Sequence, residues 1–203
     1  MPDLYYYAEQ VVWQEVPGET SLAFTISGCP LGCKGCHSAQ SWPATAGLPL
    51  SPALLLEKLN QYRGLISCVL FLGGEWQPKL LQQLLQLCKK QGLKTCLYTG
   101  LEIPPPGLLP LLDYIKTGRW QAELGPLGTP GSNQRFYDLN LLQEQSWKFQ
   151  QDSTGKTGNA ARANRVPVKT IYTDQAATEP SITAETAAVN LKTTQQGLLS
   201  CND

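Results

Sequence analysis

Short apolar runs with two different periods organise the first two thirds of the chain. Leu22-Ala23-Phe24-Thr25-Ile26-Ser27 reads as a strand, and Ile66-Ser67-Cys68-Val69-Leu70-Phe71-Leu72 is nearly continuous, as in a parallel strand buried on both faces. Lys94 to Tyr98 predicts a further strand. Between them the spacing turns helical. Ser51-Pro52 supplies a cap and a first-turn proline for a helix through Leu54, Leu55, Leu59 and Tyr62, with Gly64 as its stop. Pro78 to Gln91 repeats that grammar. Leu80, Leu81, Leu84, Leu85, Leu87 and Cys88 follow helical spacing, Lys89 and Lys90 suit the negative end of the helix dipole, and Gly92 ends the helix. Pro104-Pro105-Pro106 then opens only a short helix over Leu108 to Leu112, before a brief strand at Tyr114 to Lys116. Repeated strand–helix units of this length predict an α/β fold on a parallel sheet with right-handed crossovers, the leucine stripes being its core.

From about residue 146 the pattern weakens. Residues 151–203 hold only eight Leu, Ile, Val or Phe, with Ala and Thr abundant and Tyr172 the sole aromatic. Ordering backbone costs roughly 1–2 kcal/mol per residue, whereas each large buried side chain returns about 1.5–3 kcal/mol. The predicted organisation is a domain over 1–145 and a polar, largely flexible C-terminal extension over 146–203, in which short pieces such as Val166 to Tyr172 keep the makings of an edge strand. Ser153-Thr154-Gly155-Lys156-Thr157-Gly158 ends like a phosphate-binding loop. Such a loop needs Gly at 150, where Gln150 stands, and a flanking strand is missing, so the fragment reads as a linker.

Composition narrows the function classes. Sixteen acidic and sixteen basic residues give no electrostatic case for nucleic acid or a membrane surface. No run approaches the roughly 18 apolar residues that span a bilayer, and no signal-like N-terminal segment is present. Seven cysteines, an odd number, fit a reducing compartment, and the expected location is the cytoplasm.

Three of those cysteines crowd into Gly28-Cys29-Pro30-Leu31-Gly32-Cys33-Lys34-Gly35-Cys36-His37, just after a predicted strand. Thiolates select iron–sulfur clusters, zinc or copper. A structural zinc site takes four closed ligands, usually as two separated pairs, and there is no second Cys-x-x-Cys or any Cys-x-x-His. Cys29, Cys33 and Cys36 therefore favour a cluster with one metal position open. Cys68, Cys88 and Cys96 lie in apolar positions and read as core, and Cys201 as an exposed thiol. His37, the only histidine, gives little support for polar acid–base catalysis and reads as lining the cysteine loop. At the end of the run from Ile66 comes Gly73-Gly74-Glu75: two glycines allow close backbone approach, and a strand-end carboxylate accepts from an ammonium.

Cys-x3-Cys-x2-Cys on such a loop, with Gly73-Gly74-Glu75 after a later strand, resembles the radical S-adenosylmethionine (SAM) superfamily. The usual glycine motif runs directly into Pro, whereas here Trp76 and Gln77 precede Pro78, so a longer turn is expected. Within the superfamily the closest likeness is to activating proteins of anaerobic (class III) ribonucleotide reductase. It is carried by Tyr5 to Val12, Val16-Pro17-Gly18-Glu19, Gly35 in the cysteine loop, Tyr98-Thr99-Gly100, Asp113 to Trp120 and Gly131-Ser132-Asn133-Gln134-Arg135, and covers roughly residues 5–138.

The resemblance implies an incomplete (β/α) barrel of radical SAM type. It implies that Cys29, Cys33 and Cys36 hold a [4Fe-4S] cluster, that SAM chelates the fourth iron, and that Gly73, Gly74 and Glu75 bind SAM, with no catalytic residue beyond these sites. It further implies a radical SAM oxidoreductase that cleaves SAM reductively, the 5′-deoxyadenosyl radical taking hydrogen from a glycine of the reductase. The partners implied are that reductase and a flavodoxin- or ferredoxin-like electron donor. Thr99 reads equally as a wall of the SAM site or as a strand-to-loop turn. Asn133 and Gln134 read as orienting a peptide or SAM, or as capping a turn. The alternatives are another small radical SAM enzyme, either a different glycyl-radical activase or one like 7-carboxy-7-deazaguanine synthase, and a non-catalytic zinc module with a fourth ligand from Cys68, Cys88, Cys96 or His37.

Overall fold

The structure, a computed structural model, describes residues 4–150. The strand expected at 166–172, the fragment 153–158 and Cys201 lie outside the described residues. The described chain folds as β1 (Leu4–Val12), β2 (Ser21–Ile26), β3 (Leu48–Leu50), α1 (Pro52–Gln61), β4 (Cys68–Leu72), α2 (Pro78–Lys90), β5 (Lys94–Tyr98), β6 (Tyr114–Thr117), β7 (Arg135–Asp138) and β8 (Gln143–Glu144). All eight strands form one sheet, ordered β3-β1-β2-β4-β5-β6-β7-β8, with β3 and β8 at open edges. This is an α/β fold with an open sheet, an incomplete barrel.

The helices begin where the sequence says they should. Ser51 Oγ accepts from the Leu54 N–H at 3.1 Å, and Pro52 follows in the first turn. In α2, Leu81, Leu84, Leu85 and Cys88 are buried, and the basic pair Lys89 and Lys90 lies in its last turn. The expected helix over Leu108 to Leu112 is a 3-10 turn, Pro106–Leu111, because prolines flank and enter it.

The sheet is mixed where a parallel one was expected. Only β2, β4, β5 and β6 are parallel; β1, β3, β7 and β8 pair antiparallel. Connection length accounts for two of the four antiparallel pairs, β1–β2 and β7–β8, since a parallel neighbour needs a crossover of a dozen or more residues. Residues 13–20 between β1 and β2, and 139–142 between β7 and β8, are too few to make one.

Alternation splits the continuous apolar runs between two cores. Phe24 and Phe71 stack with centroids 6.0 Å apart, and Tyr6 meets Phe24 edge-on at 5.5 Å. Cys68, Leu70, Cys96, Tyr114 and Phe136 pack on one another with Val12, Val16 and Ala23, and Leu127, Tyr98 and Phe149 cover them. Cys68, Cys88 and Cys96 are thus core residues, fully buried, and burial pushes the Cys68 and Cys88 thiols up to about 12. The 3-10 turn Ser146–Phe149 belongs to this packing: Phe149 lies 5.0 Å from Phe136 between ring centroids, and the Phe136 N–H donates to Ser146 Oγ at 2.9 Å.

Ion pairs close the N-terminal pole of the parallel strands. The buried Glu19 carboxylate accepts from Ser67 Oγ at 2.7 Å, Lys94 Nζ at 2.5 Å and Tyr114 OH at 2.8 Å. Asp113 accepts from Lys89 Nζ at 2.8 Å, the Thr95 N–H at 2.8 Å and Asn140 Nδ2 at 3.2 Å. Burial alone would raise the Glu19 pKa, but the bonds from Lys94, Ser67 and Tyr114 outweigh it and hold the group below its ordinary value of 4.5. A depressed carboxylate contributes stability that is fully present above its ordinary pKa and is lost as the pH falls through the folded-state value. Glu19→Gln should therefore cost roughly 1–3 kcal/mol at neutral pH and flatten the acid side of the stability profile. Urea unfolding of both proteins between about pH 7 and pH 3 checks this, and parallel profiles would rule it out.

Candidate functional site

All the residues singled out for chemistry lie on the opposite rim, beyond the C-terminal ends of β2, β4, β5 and β6. The cysteine loop leaves β2 through Ser27, whose N–H donates to the Tyr5 carbonyl at 2.8 Å and whose hydroxyl donates to the Ala46 carbonyl at 2.7 Å. Within it, the Cys36 N–H donates to the Cys33 carbonyl at 3.1 Å, and the Ser38 N–H reaches Cys36 Sγ at 3.4 Å. Cys29, Cys33 and Cys36 are free thiols, Cys33 only 8% exposed and the other two half-buried. Burial pushes the Cys29 thiol up, with the nearby Glu75, Cys33 and Cys36 adding to the effect and a bond to the Leu31 backbone opposing it.

The Gly-Gly-Glu turn follows β4. Gly73 has φ +94°, and a Cβ there would lie 2.5 Å from the Trp76 ring, so glycine is required on both counts. The expected longer turn is present: the Gln77 N–H donates to the Gly74 carbonyl at 3.0 Å before Pro78 opens α2. Glu75 is 4% exposed. Its Oε1 accepts from Thr99 Oγ1 at 2.6 Å, while the buried Oε2 has no partner among the described residues. Burial pushes the Glu75 carboxyl up, only partly opposed by the Thr99 bond. Thr99 is held in turn, its Oγ1 accepting from the Leu101 N–H at 3.0 Å and its own N–H donating to the Lys116 carbonyl at 2.8 Å. Beside the two roles open to Thr99, wall of a SAM site or strand-to-loop turn, the geometry shows that it orients the Glu75 carboxylate.

Two residues at this rim were not read as site residues from the sequence. Lys116, in β6 opposite Tyr98, is held down to about 8 by burial, with Cys33 and Glu75 pulling the other way, and its ammonium donates to the Gly118 carbonyl at 2.8 Å. A lysine inside a short apolar strand was the available signal. Trp120 packs beside His37, ring centroids 4.9 Å apart, so His37 does line the cysteine loop. Asn133 Nδ2 donates to the Arg119 carbonyl at 3.0 Å, its Oδ1 being buried without a partner among the described residues. The buried Gln134 is fixed through its N–H, which donates to Ser132 Oγ at 3.2 Å.

The donor set fits a cluster and an aminated ligand. Among the described residues no three acidic, Cys or His side chains already converge as a single-ion site. Three free thiols on one loop, one of them nearly buried, are soft donors of the kind that hold an iron–sulfur cluster. Glu75 Oε2, a buried acceptor awaiting a donor, fits an ammonium.

Comparison with known proteins agrees with this chemistry. Residues 16–106 match the family described as a 4Fe-4S single cluster domain, a span that contains the three cysteines, Gly73-Gly74-Glu75 and Thr99. This match agrees with the resemblance to the radical SAM superfamily. It is 36% identical over 90 residues to the pyruvate formate-lyase-activating enzyme of Clostridium pasteurianum, a match covering 41% of this chain and 37% of that protein. It is 29% identical over 90 residues to the pyruvate formate-lyase 1-activating enzyme of Escherichia coli (strain K12), covering 41% and 36%. The chain thus spans well under two thirds of these relatives. Among the described residues no helix is long and apolar enough to cross a membrane.

Burial predicts how this chain partitions its thiols. With no metal bound, Cys29 and Cys36 should be alkylated on the order of a hundredfold or more faster than Cys68, Cys88 and Cys96, which react only through unfolding. Mass spectrometry of the timed iodoacetamide reaction measures it, and equal rates would contradict the burial pattern.

Proposed function

We propose that this chain is a glycyl-radical activase for anaerobic ribonucleotide reductase. The observation that carries the site assignment is the unpartnered Oε2 of buried Glu75, beside the loop of Cys29, Cys33 and Cys36. In this reading the three thiolates hold a [4Fe-4S] cluster. Glu75 receives the amino group of SAM, Thr99 fixes that carboxylate, and Gly73 and Gly74 let the ligand approach the backbone. Bound there, cluster and SAM would supply one-electron cleavage of SAM and so a radical able to take hydrogen from a glycine of the reductase. The chain's own contribution is proximity and exclusion of water, because a radical released into solvent is quenched before it meets its target. A flavodoxin- or ferredoxin-like protein supplies the electron, and the setting is the cytoplasm.

The choice of reductase rests on motifs that extend beyond the matched span, from Asp113 to Trp120 and Gly131 to Arg135. A second reading has its own support. Both relatives are named as activators of pyruvate formate-lyase, so a different glycyl-radical enzyme is the competing target. The 4Fe-4S match stands against the zinc module.

Reconstituted anaerobically with iron and sulfide, the chain should carry about four irons and cleave SAM under reduction. Cys29→Ala, Cys33→Ala or Cys36→Ala should each abolish cleavage, and cleavage surviving in all three would sink the assignment. Glu75→Gln should keep the cluster and weaken SAM binding about 10–100-fold, the worth of one charge-assisted hydrogen bond. Mixing with an anaerobic reductase should produce a glycyl doublet by electron spin resonance. A doublet appearing only with pyruvate formate-lyase would decide for the second reading.

A further inference from the structure

After β6 the chain folds back over the cysteine loop and grips it. Arg119 Nη2 donates to the Leu31 carbonyl at 2.9 Å, and Asn133 Nδ2 holds the Arg119 carbonyl from the other side at 3.0 Å. Leu31 fits against the bare face of Gly100, where a Cβ would come within 2.2 Å of its Cδ1. These contacts bring Trp120 against the middle of the loop. A Cβ on Gly35, between Cys33 and Cys36, would lie 3.6 Å from Trp120 Nε1, so the indole N–H sits at van der Waals distance from the space a side chain at 35 would occupy. Gly35 has φ +69°, a conformation that disfavours such a side chain. Trp120 Nε1 is buried and has no acceptor among the described residues.

An indole nitrogen only donates, and when buried it almost always finds an acceptor. The acceptor expected beside Cys33 and Cys36 is sulfur. We propose that Trp120 is a positioning residue of the cluster site, its indole N–H donating a hydrogen bond to a sulfur of the iron–sulfur group held on the cysteine loop. This rests on the cluster assignment above and extends it to a residue outside the matched span. Such a bond stabilises the more negative, reduced cluster and so raises its reduction potential. Through His37, 4.9 Å away between centroids, the ring also braces the end of the loop.

The test uses the full chain and its Trp120→Phe variant, both reconstituted anaerobically with iron and sulfide, the potential being measured without SAM and SAM binding in a separate titration. Phe keeps a ring beside His37 and removes the donor. The variant should load the same iron and sulfide per chain, and its midpoint potential in an electron-spin-monitored titration should fall below that of the wild type. Equal potentials with equal loading would overturn the proposal while leaving the cluster assignment intact. Unchanged potential with weakened SAM binding would also overturn it, since the N–H would then serve SAM. A wild-type chain that takes up no cluster would overturn the reading beneath it. If the Phe variant does not load, the wild-type chain with isotopically labelled indole nitrogen gives the answer. Coupling of that nitrogen to the reduced cluster supports the bond, and its absence rejects it.

Discussion

Parallel pairing of β2, β4, β5 and β6 is the constraint from which the rest of this structure follows. Strands that run the same way must end on the same side, so the cysteine loop, Gly73-Gly74-Glu75, Thr99 and Gly118 to Trp120 all leave the sheet at one rim. The ladder continues just past the strands, with the Gly73 N–H donating to the Tyr98 carbonyl and the Thr99 N–H to the Lys116 carbonyl, each at 2.8 Å. Register is therefore fixed up to the residues that carry the chemistry. A one-residue slip of β4 would exchange its two buried faces, moving Phe71 away from Phe24 and Leu70 away from the Cys96 side, so packing defends the position of Glu75.

Much of this was legible in the sequence because it is written locally. Ser51-Pro52, Pro78, Gly64 and Gly92 mark helix ends by rules that need only neighbouring residues, and the run from Cys68 to Leu72 announces burial on both faces. The antiparallel flanks were not legible. β7 and β8 have four and two residues, too few for any period to register, and β1 carries Glu9 and Gln10 in its middle. At the site, the cysteines and the glycine turn are motifs, whereas the roles of Lys116 and Trp120 arise from contacts across long sequence separations. Nothing local to Trp120 says that it will lie beside Gly35, 85 positions earlier.

Short length is accommodated by aromatic packing. The sheet ends in antiparallel β7 and β8, and the inner core is covered by Phe136 against Tyr114, Tyr98 and Phe149, with ring centroids 5.9, 6.4 and 5.0 Å apart. Phe136 is fully buried at this junction and packs against all three rings. Phe149 of the Ser146–Phe149 turn consequently packs against the core, partly buried, even though the low-hydrophobicity stretch begins at about the same point in the sequence.

The two poles of the parallel strands treat buried charge in opposite ways. At the N-terminal pole Glu19 meets Lys94 and Asp113 meets Lys89, at 2.5 and 2.8 Å, and both carboxylates are stabilised below their ordinary pKa values. At the C-terminal pole Glu75 and Lys116 influence one another yet form no ion pair among the described residues; a hydroxyl holds one and a carbonyl holds the other. Burial consequently shifts both toward their neutral forms, Glu75 up and Lys116 down. Leaving two desolvated groups of opposite sign unpaired costs stability that a direct contact would recover. A fold that pairs its charges at one end and separates them at the other concentrates that cost where ligand groups can relieve it. An ammonium on Glu75 Oε2 would favour its carboxylate form, and negative charge near Cys33 would favour the lysine cation. The rim is therefore poised electrostatically for a ligand that carries positive charge toward β4 and for an anionic cluster on the cysteine loop.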